Sequence, residues 1–427
     1  MNTMTNTRIS EPGTGEAFGA VLVGMKPMTV RVSASFSPGR EGLTLTGLFE
    51  VAARETRVRI RAAFGRLAVD VPGLMPMAEG TYHVTVHEAV DSAQSFELAI
   101  AVAMLRARGR DVRDAEWFDG EHVFVGEVGL DGSVRAVRGA GIYASVFSKL
   151  VASFDSEGEL VALAADPSGV RLIRTLTDLY TGEEMTPRVR IGTQTRDALI
   201  AVASPNRVDL GQTHAHILSD CQTLIEAGHN VLLVGLPGSG KTMIARRIAQ
   251  CAPSLTLDEA KTVLAVHSAA GLQPNAYAHV ARPFRAPHHT VSSLALTGDY
   301  RGRRPGEVSL AHHGVLFLDE LPEFRHFTLE ALAAHLREAR EGHATHFPSK
   351  PFAFVAAANW CACGQRTCLC STERRQAYDQ RLASLGRLLK FTRVEVPKVT
   401  LAELARGVAE SAPRALVRSD AELGEKT

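Results

Sequence analysis

A chain of 427 residues, 45% of them hydrophobic, can bury two ordinary domain cores. Its 47 basic and 46 acidic residues leave a formal charge of +1, which excludes a whole-molecule electrostatic footprint for nucleic acid and confines any such contact to a local patch. No run approaches the roughly 18 apolar residues of a membrane-spanning helix, and residues 1–8 hold no apolar signal core, so no membrane partner and a cytoplasmic location are expected.

In chain order, short alternating stretches at 28–35, 81–86 and 122–128 predict strands, and 96–106 predicts a helix, together an α+β domain. Residues 51–64 also have a helical period, which sets Arg54, Arg57 and Arg61 on one face. Such a row can follow phosphates, although a solvated helix face is the plainer reading. Residues 186–213 carry no sustained apolar period and include Pro187, Pro205 and Gly211. The expected division is therefore an N-terminal domain over 1–185, a linker over 186–213, a second domain over 214–399 and a short polar tail over 400–427 with room for one short helix.

The second domain opens with the apolar run Asn230, Val231, Leu232, Leu233, Val234. Gly235, Leu236, Pro237, Gly238, Ser239, Gly240, Lys241 and Thr242 follow, and then a helical stretch from Met243. Strand, glycine-rich loop and helix in this order form a phosphate-binding P-loop, or Walker A motif. Glycines let backbone N–H groups converge on an anion at a helix N-terminus. Lys241 then reaches the β- and γ-phosphates of ATP, and Thr242 holds Mg²⁺.

A companion strand, Gly314, Val315, Leu316, Phe317 and Leu318, ends in Asp319 and Glu320. Its unbroken apolar character suits a strand buried on both faces of a parallel sheet, with the carboxylates at the C-terminal edge where nucleotides bind. Asp319 is the expected Mg²⁺ ligand, as in a Walker B motif, and Glu320 the group that orients or deprotonates the attacking water. A third strand over 352–358 ends in Asn359, whose amide can hold that water or sense the γ-phosphate. The three strands together describe a AAA+ type ATPase core, an α/β fold with a doubly wound sheet.

Of the six cysteines, Cys361, Cys363, Cys368 and Cys370 form two C-x-C pairs four residues apart. In a cytosolic chain such a cluster favours metal over disulfides, and four thiolates suit a tetrahedral Zn²⁺. A loop of reduced thiols without a ligand is the alternative.

Longer patterns carry a family resemblance. Arg282 through Thr290 (RPFRAPHHT) and Arg304 through Phe324 (RPGEVSLAHHGVLFLDELPEF) resemble the YifB/ComM family of magnesium-chelatase-like AAA+ ATPases. Val125 through Arg135 (VGEVGLDGSVR) and Ser95 through Ala101 (SFELAIA) are similar to that family's N-terminal domain, which has a ribosomal-S5/Lon-protease-like fold. The resemblance covers about nine-tenths of the chain and implies a homo-oligomeric ring, hexameric in most such motors. The characterised members are DNA helicases that drive branch migration in recombination, so DNA is an implied partner. A nucleotide-binding but weakly hydrolysing relative is the alternative, and a metal-chelatase subunit a weaker one.

Lon proteases use a Ser–Lys dyad. Ser95 stands near the serine position, whereas Gly141 falls where the lysine belongs and Lys149 lies further on, so a scaffold or binding module is expected instead. The histidines His288, His289, His312 and His313 belong to the family motifs and are expected to be structural or pore-related. Three departures weaken the motor. Leu388, Leu389, Lys390 and Phe391 stand where the family's D-R-x-D segment carries the trans arginine, with Arg387 and Arg393 as nearby substitutes. The hairpin segment between Leu336 and Phe347 reads as trimmed, and the family's helical lid is expected to be missing after residue 399.

Overall fold

The computed structural model describes residues 13–71, 80–108, 121–181, 212–272, 280–299, 301–341, 346–365, 368 and 370–398. The tail over 400–427 and the linker up to residue 211 lie outside the described residues, as does the midpoint of the segment between Leu336 and Phe347. Residues 212 and 213 already belong to the helix Gln212–Glu226.

The N-terminal half is built on a seven-stranded sheet in the order β3-β4-β2-β1-β5-β8-β9. β1 (Gly13–Val23), β2 (Lys26–Pro38), β3 (Gly42–Leu48) and β4 (Gly80–Val90) form its larger part. β1 and β2 run antiparallel, as do β2 and β4, while β5 (Val123–Val125), β8 (Leu150–Ser153) and β9 (Val170–Ile173) extend the sheet in parallel. The segment expected as one strand over 122–128 breaks at Gly126. β6 (Glu127–Val128) leaves the sheet and forms its own hairpin with β7 (Val134–Arg135).

The expected helix over 96–106 is observed as Glu97–Ala107 and lies directly on β1. Its approach depends on glycine: a Cβ on Gly19 would sit 2.3 Å from the Phe96 Cβ, and one on Gly15 2.3 Å from the Ala103 carbonyl. Glu97 begins this apolar helix yet is fully buried. Thr56, Arg59 and the Val128 N–H all donate to its carboxylate, and burial nevertheless raises its pKa.

The C-terminal half holds a five-stranded, fully parallel sheet in the order β11-β12-β13-β10-β14. These are β10 (Asn230–Gly235), β11 (Phe284–Arg285), β12 (Val315–Leu318), β13 (Ala353–Ala358) and β14 (Phe391–Val396). Every residue of β10, β12 and β13 is buried, and separate apolar clusters cover the two faces. That explains their continuous rather than alternating hydrophobicity. β12 does not pair with β10; β13 stands between them, so its C-terminal end lies between the glycine-rich loop and the acidic pair. The mixed α/β chain with this parallel sheet is consistent with a P-loop AAA+ type core.

The halves pack against each other. Gly139 N–H donates to the Ser268 carbonyl at 3.0 Å, Gly24 N–H to Gly302 at 2.7 Å and Met25 N–H to His346 at 3.1 Å. Ala162 and Leu163 share a buried apolar cluster with Leu255, Val263, Leu264 and Val280. The helix Leu257–Ala270, closed by a capping box at Thr256 and Glu259, carries much of this contact.

Candidate active site

β10 delivers the chain into the loop 235–242, and the helix Lys241–Cys251 leaves it. Gly238 (φ 74°) and Gly240 (φ 92°) occupy left-handed backbone, which turns successive N–H groups toward one concavity. Gly240 has a second constraint, because a Cβ there would meet His214 Cε1 at 2.8 Å. Gly235 is pressed against β14, where a Cβ would lie 2.4 Å from the Val396 carbonyl. The Ser239 hydroxyl is buried within the loop without a protein partner.

Lys241 Nζ donates to the carbonyls of Gly235 (2.9 Å) and Leu236 (3.0 Å) and to Asn359 Oδ1 (3.2 Å). Burial lowers its pKa, against the opposing pull of Asp319 and Glu320. The ammonium is thus held in the loop by weak carbonyl acceptors that a phosphate oxygen can outcompete. Thr242 Oγ1 donates to Asp319 Oδ2 at 3.1 Å, so hydroxyl and carboxylate already share one locus. Asp319 Oδ1 accepts the Glu320 N–H at 3.0 Å.

Glu320 itself is in left-handed backbone at φ 52°, which aims its exposed carboxylate back over the cavity. His289 Nδ1 lies 3.8 Å from Glu320 Oε2, and His289 packs at a tilt against His288, 4.0 Å between ring centroids. The cavity enclosed by these groups measures about 840 Å³ and is also lined by Pro322, Glu323, Asn359, Cys361, Cys363 and Tyr378. That volume falls in the range of ordinary ligand pockets.

The structure therefore gathers the loop 235–242, Asp319, Glu320 and Asn359 around one cavity. It adds His289 and Tyr378 to the lining, and packs the buried His214 behind the loop, none of which sequence reasoning had placed there. His289 lay within a quoted motif, but nothing in the sequence tied it to Glu320. His214 lies on the helix Gln212–Glu226, 25 residues before Ser239, and only the fold brings its ring to the Ser239 carbonyl at 3.0 Å.

The four clustered cysteines all lie free, with their sulfurs within 4.8 Å of one another. Cys368 Sγ donates to Cys361 Sγ at 3.2 Å. The Cys361 thiol is pulled down to about 7 by the Cys363 N–H and then by the Cys368 thiol. Among the described residues no other group of histidine, cysteine or carboxylate side chains converges in this way. The histidines accordingly form no metal cluster: His312 Nδ1 accepts the Lys350 N–H at 3.0 Å, and His313 pairs with Glu259 at 3.3 Å.

Other sequence candidates separate. Ser95 Oγ donates to the Ala20 carbonyl at 2.8 Å, Lys149 pairs with Glu121, and Gly141 is buried beneath Leu163. Arg61 pairs with Glu41, whereas Arg54 lines a groove with Glu55 and Val58. At the expected trans-arginine segment Leu389 is 3% exposed, its carbonyl accepts the Asn230 side-chain N–H at 2.6 Å, and Phe391 packs on Phe354.

Residues 210–403 match the family described as magnesium chelatase, subunit ChlI, and residues 32–150 match that described as subunit ChlI of Mg-chelatase. The chain is 31% identical to competence protein ComM of Haemophilus influenzae over 394 residues, 87% of this chain and 73% of that protein. It is 32% identical to the uncharacterized protein YifB of Escherichia coli over 351 residues, 80% of this chain and 66% of that protein. An uncharacterized protein of Mycobacterium tuberculosis strain H37Rv is 33% identical over 386 residues, 86% of this chain and 74% of that protein. With both halves matched and about a third of residues identical to ComM and YifB over most of the chain, the chain belongs to the YifB/ComM family of magnesium-chelatase-like proteins.

Proposed function

We propose that this chain binds ATP with Mg²⁺ in the cavity between the loop 235–242 and Asp319, and hydrolyses it. The observation that carries the reading is the juxtaposition of Lys241, Asn359, Thr242 and Asp319 at one end of the parallel sheet. Bound Mg²⁺–ATP would supply the scissile phosphoanhydride and the divalent charge that neutralises it. The loop N–H groups would cradle the phosphates, Lys241 would exchange its carbonyl contacts for phosphate oxygens, and Thr242 with Asp319 would hold the metal. Glu320 takes a proton from the attacking water, and Asn359 keeps that water or the γ-phosphate in line.

The wider reading follows the family. Residues 1–185 form a ribosomal-S5/Lon-like module, residues 214–399 the ATPase core, and copies of the chain assemble into a ring, hexameric by analogy, that acts on DNA as ComM-type helicases do. The relation to a competence protein supports this choice over a chelatase subunit. Binding with weak hydrolysis is the second reading, favoured by the buried Leu389 where the trans arginine belongs.

The decisive experiment is a calorimetric titration with Mg²⁺–ATP, paired with phosphate release measured with and without single-stranded and forked DNA. Lys241→Ala should weaken ATP binding by at least about tenfold, because a cation in contact with phosphate is lost. Equal affinity in parent and variant would remove the assignment.

A further inference from the structure

Asn359 reaches the cavity from a segment whose next residues are Trp360 and Cys361. After Cys361 the chain turns sharply: Gly364 is left-handed at φ 62°, and its N–H donates to the Cys361 carbonyl at 3.0 Å. The segment then returns through Cys368 and Cys370 to Ser371, whose hydroxyl caps the helix Thr372–Leu388. From that helix the Tyr378 hydroxyl donates to the Asn359 carbonyl at 2.9 Å. The two ends of this path are thus tied to each other, and its two C-x-C pairs meet at the Cys361 and Cys368 thiols.

The spacing of the four sulfurs fits a metal. Four thiolates at zinc bond lengths of about 2.3 Å around a tetrahedral centre stand roughly 3.8 Å apart. Here Cys361 and Cys368 are 3.2 Å apart and no pair of the four sulfurs exceeds 4.8 Å, which brackets the tetrahedral spacing without any disulfide. Cys361 and Cys363 also line the nucleotide cavity itself. A metal there would tie the two C-x-C pairs together within reach of the residue that contacts Lys241.

We propose that Cys361, Cys363, Cys368 and Cys370 hold one Zn²⁺ as a structural tetrathiolate, and that this zinc sets the position of Asn359 in the nucleotide cavity. The zinc site stands on the cysteine geometry alone; its effect on nucleotide rests on the ATP reading above. Asn359 is here a positioning target rather than a ligand of the metal. Zinc removal frees the loop at Cys361 and leaves the P-loop intact, so discrimination between ATP and ADP suffers before overall phosphate binding does.

The test uses the full chain purified without chelator under reducing conditions. It should contain about one Zn²⁺ per chain, and exchange for Co²⁺ should give the intense thiolate-to-cobalt absorption of a tetrahedral sulfur site. The chain has two tryptophans, so a Trp117→Phe background leaves Trp360 as the sole tryptophan, read by excitation on the red edge where tyrosine does not absorb. Releasing zinc with a thiol reagent, and restoring it after reduction, should shift Trp360 emission reversibly. Zinc-free protein should lose about tenfold of its preference for Mg²⁺–ATPγS over Mg²⁺–ADP. In Asn359→Ala the zinc-loaded and zinc-free forms should bind nucleotide alike. Cys370→His, which keeps four ligands, should retain the metal that the pair Cys363→Ser and Cys370→Ser loses.

Protein without zinc or a cobalt spectrum overturns the site. Zinc-loaded and zinc-free protein with the same ATPγS preference overturns the coupling and leaves the ATP reading standing. Zinc-loaded protein that binds no nucleotide overturns the coupling together with the ATP reading.

Discussion

Glu320 is one of three described non-glycine residues in left-handed backbone, a conformation that costs free energy and persists only when its surroundings fix it. The turn points its carboxylate toward His289 and the cavity rather than along β12. A group placed to take a proton, but not to bind phosphate, should separate hydrolysis from binding. Glu320→Gln should therefore keep Mg²⁺–ATP affinity within about threefold while single-turnover hydrolysis falls about 10²- to 10⁴-fold. Unchanged hydrolysis in the variant would assign the base elsewhere. At this scale the sequence was most readable, because glycines, one lysine and a carboxylate pair at the end of an apolar run each have few alternative uses. His289 was not readable as a neighbour of Glu320, since a four-residue excursion from β11 decides where its ring lies.

At the scale of elements, the continuous apolar strands β10, β12 and β13 were legible for the same reason that they are central: both faces are covered, so no polar alternation survives. Their order was not legible, because pairing is set by crossovers rather than by local pattern. The turn after the helix Thr372–Leu388 illustrates the complementary case. Spacing alone aligned Leu388–Phe391 with a segment that offers an arginine to a neighbouring subunit; the fold turns Leu389 inward and packs Phe391 on Phe354. Restoring an arginine by Leu389→Arg should consequently destabilise the chain by about 2–5 kcal/mol, since a buried leucine is lost and a charge must be desolvated. On the second, weakly hydrolysing reading, in which the trans arginine is lost, the chain should hydrolyse ATP about 10³- to 10⁵-fold more slowly than a relative that has it. Arg387→Ala and Arg393→Ala should each leave that slow rate within about threefold. A tenfold fall in either variant, measured as phosphate release at saturating ATP, would identify a relocated arginine and restore the full motor reading.

The whole molecule depends on a junction that no local motif announced. Glu159, in the helix Glu157–Leu163 of the N-terminal half, is 4% exposed and accepts the Ser268 hydroxyl at 2.7 Å and the Gly141 N–H at 3.3 Å. In sequence it is one of two acids on a short helix, and only the packing of the halves makes it a buried contact between them. Burial raises its pKa above the ordinary value of 4.5, outweighing the hydrogen bonds from Ser268 and Gly141 that favour the ionised form. The folded chain therefore holds this proton more tightly than the unfolded chain does. By linkage, the associated stability is fully present below 4.5 and is lost as pH rises through the folded value. Glu159→Gln keeps an oxygen acceptor for both donors and removes the ionisation. Its melting temperature should match the parent near pH 4.5 and exceed it by about 2 °C near pH 8, where the parent must bury a charge. Thermal unfolding of both proteins across that range measures the difference directly. Parallel curves would mean that the carboxylate ionises at no cost to the junction, whereas a gap that opens as pH rises ties the packing of the two halves to a single buried proton.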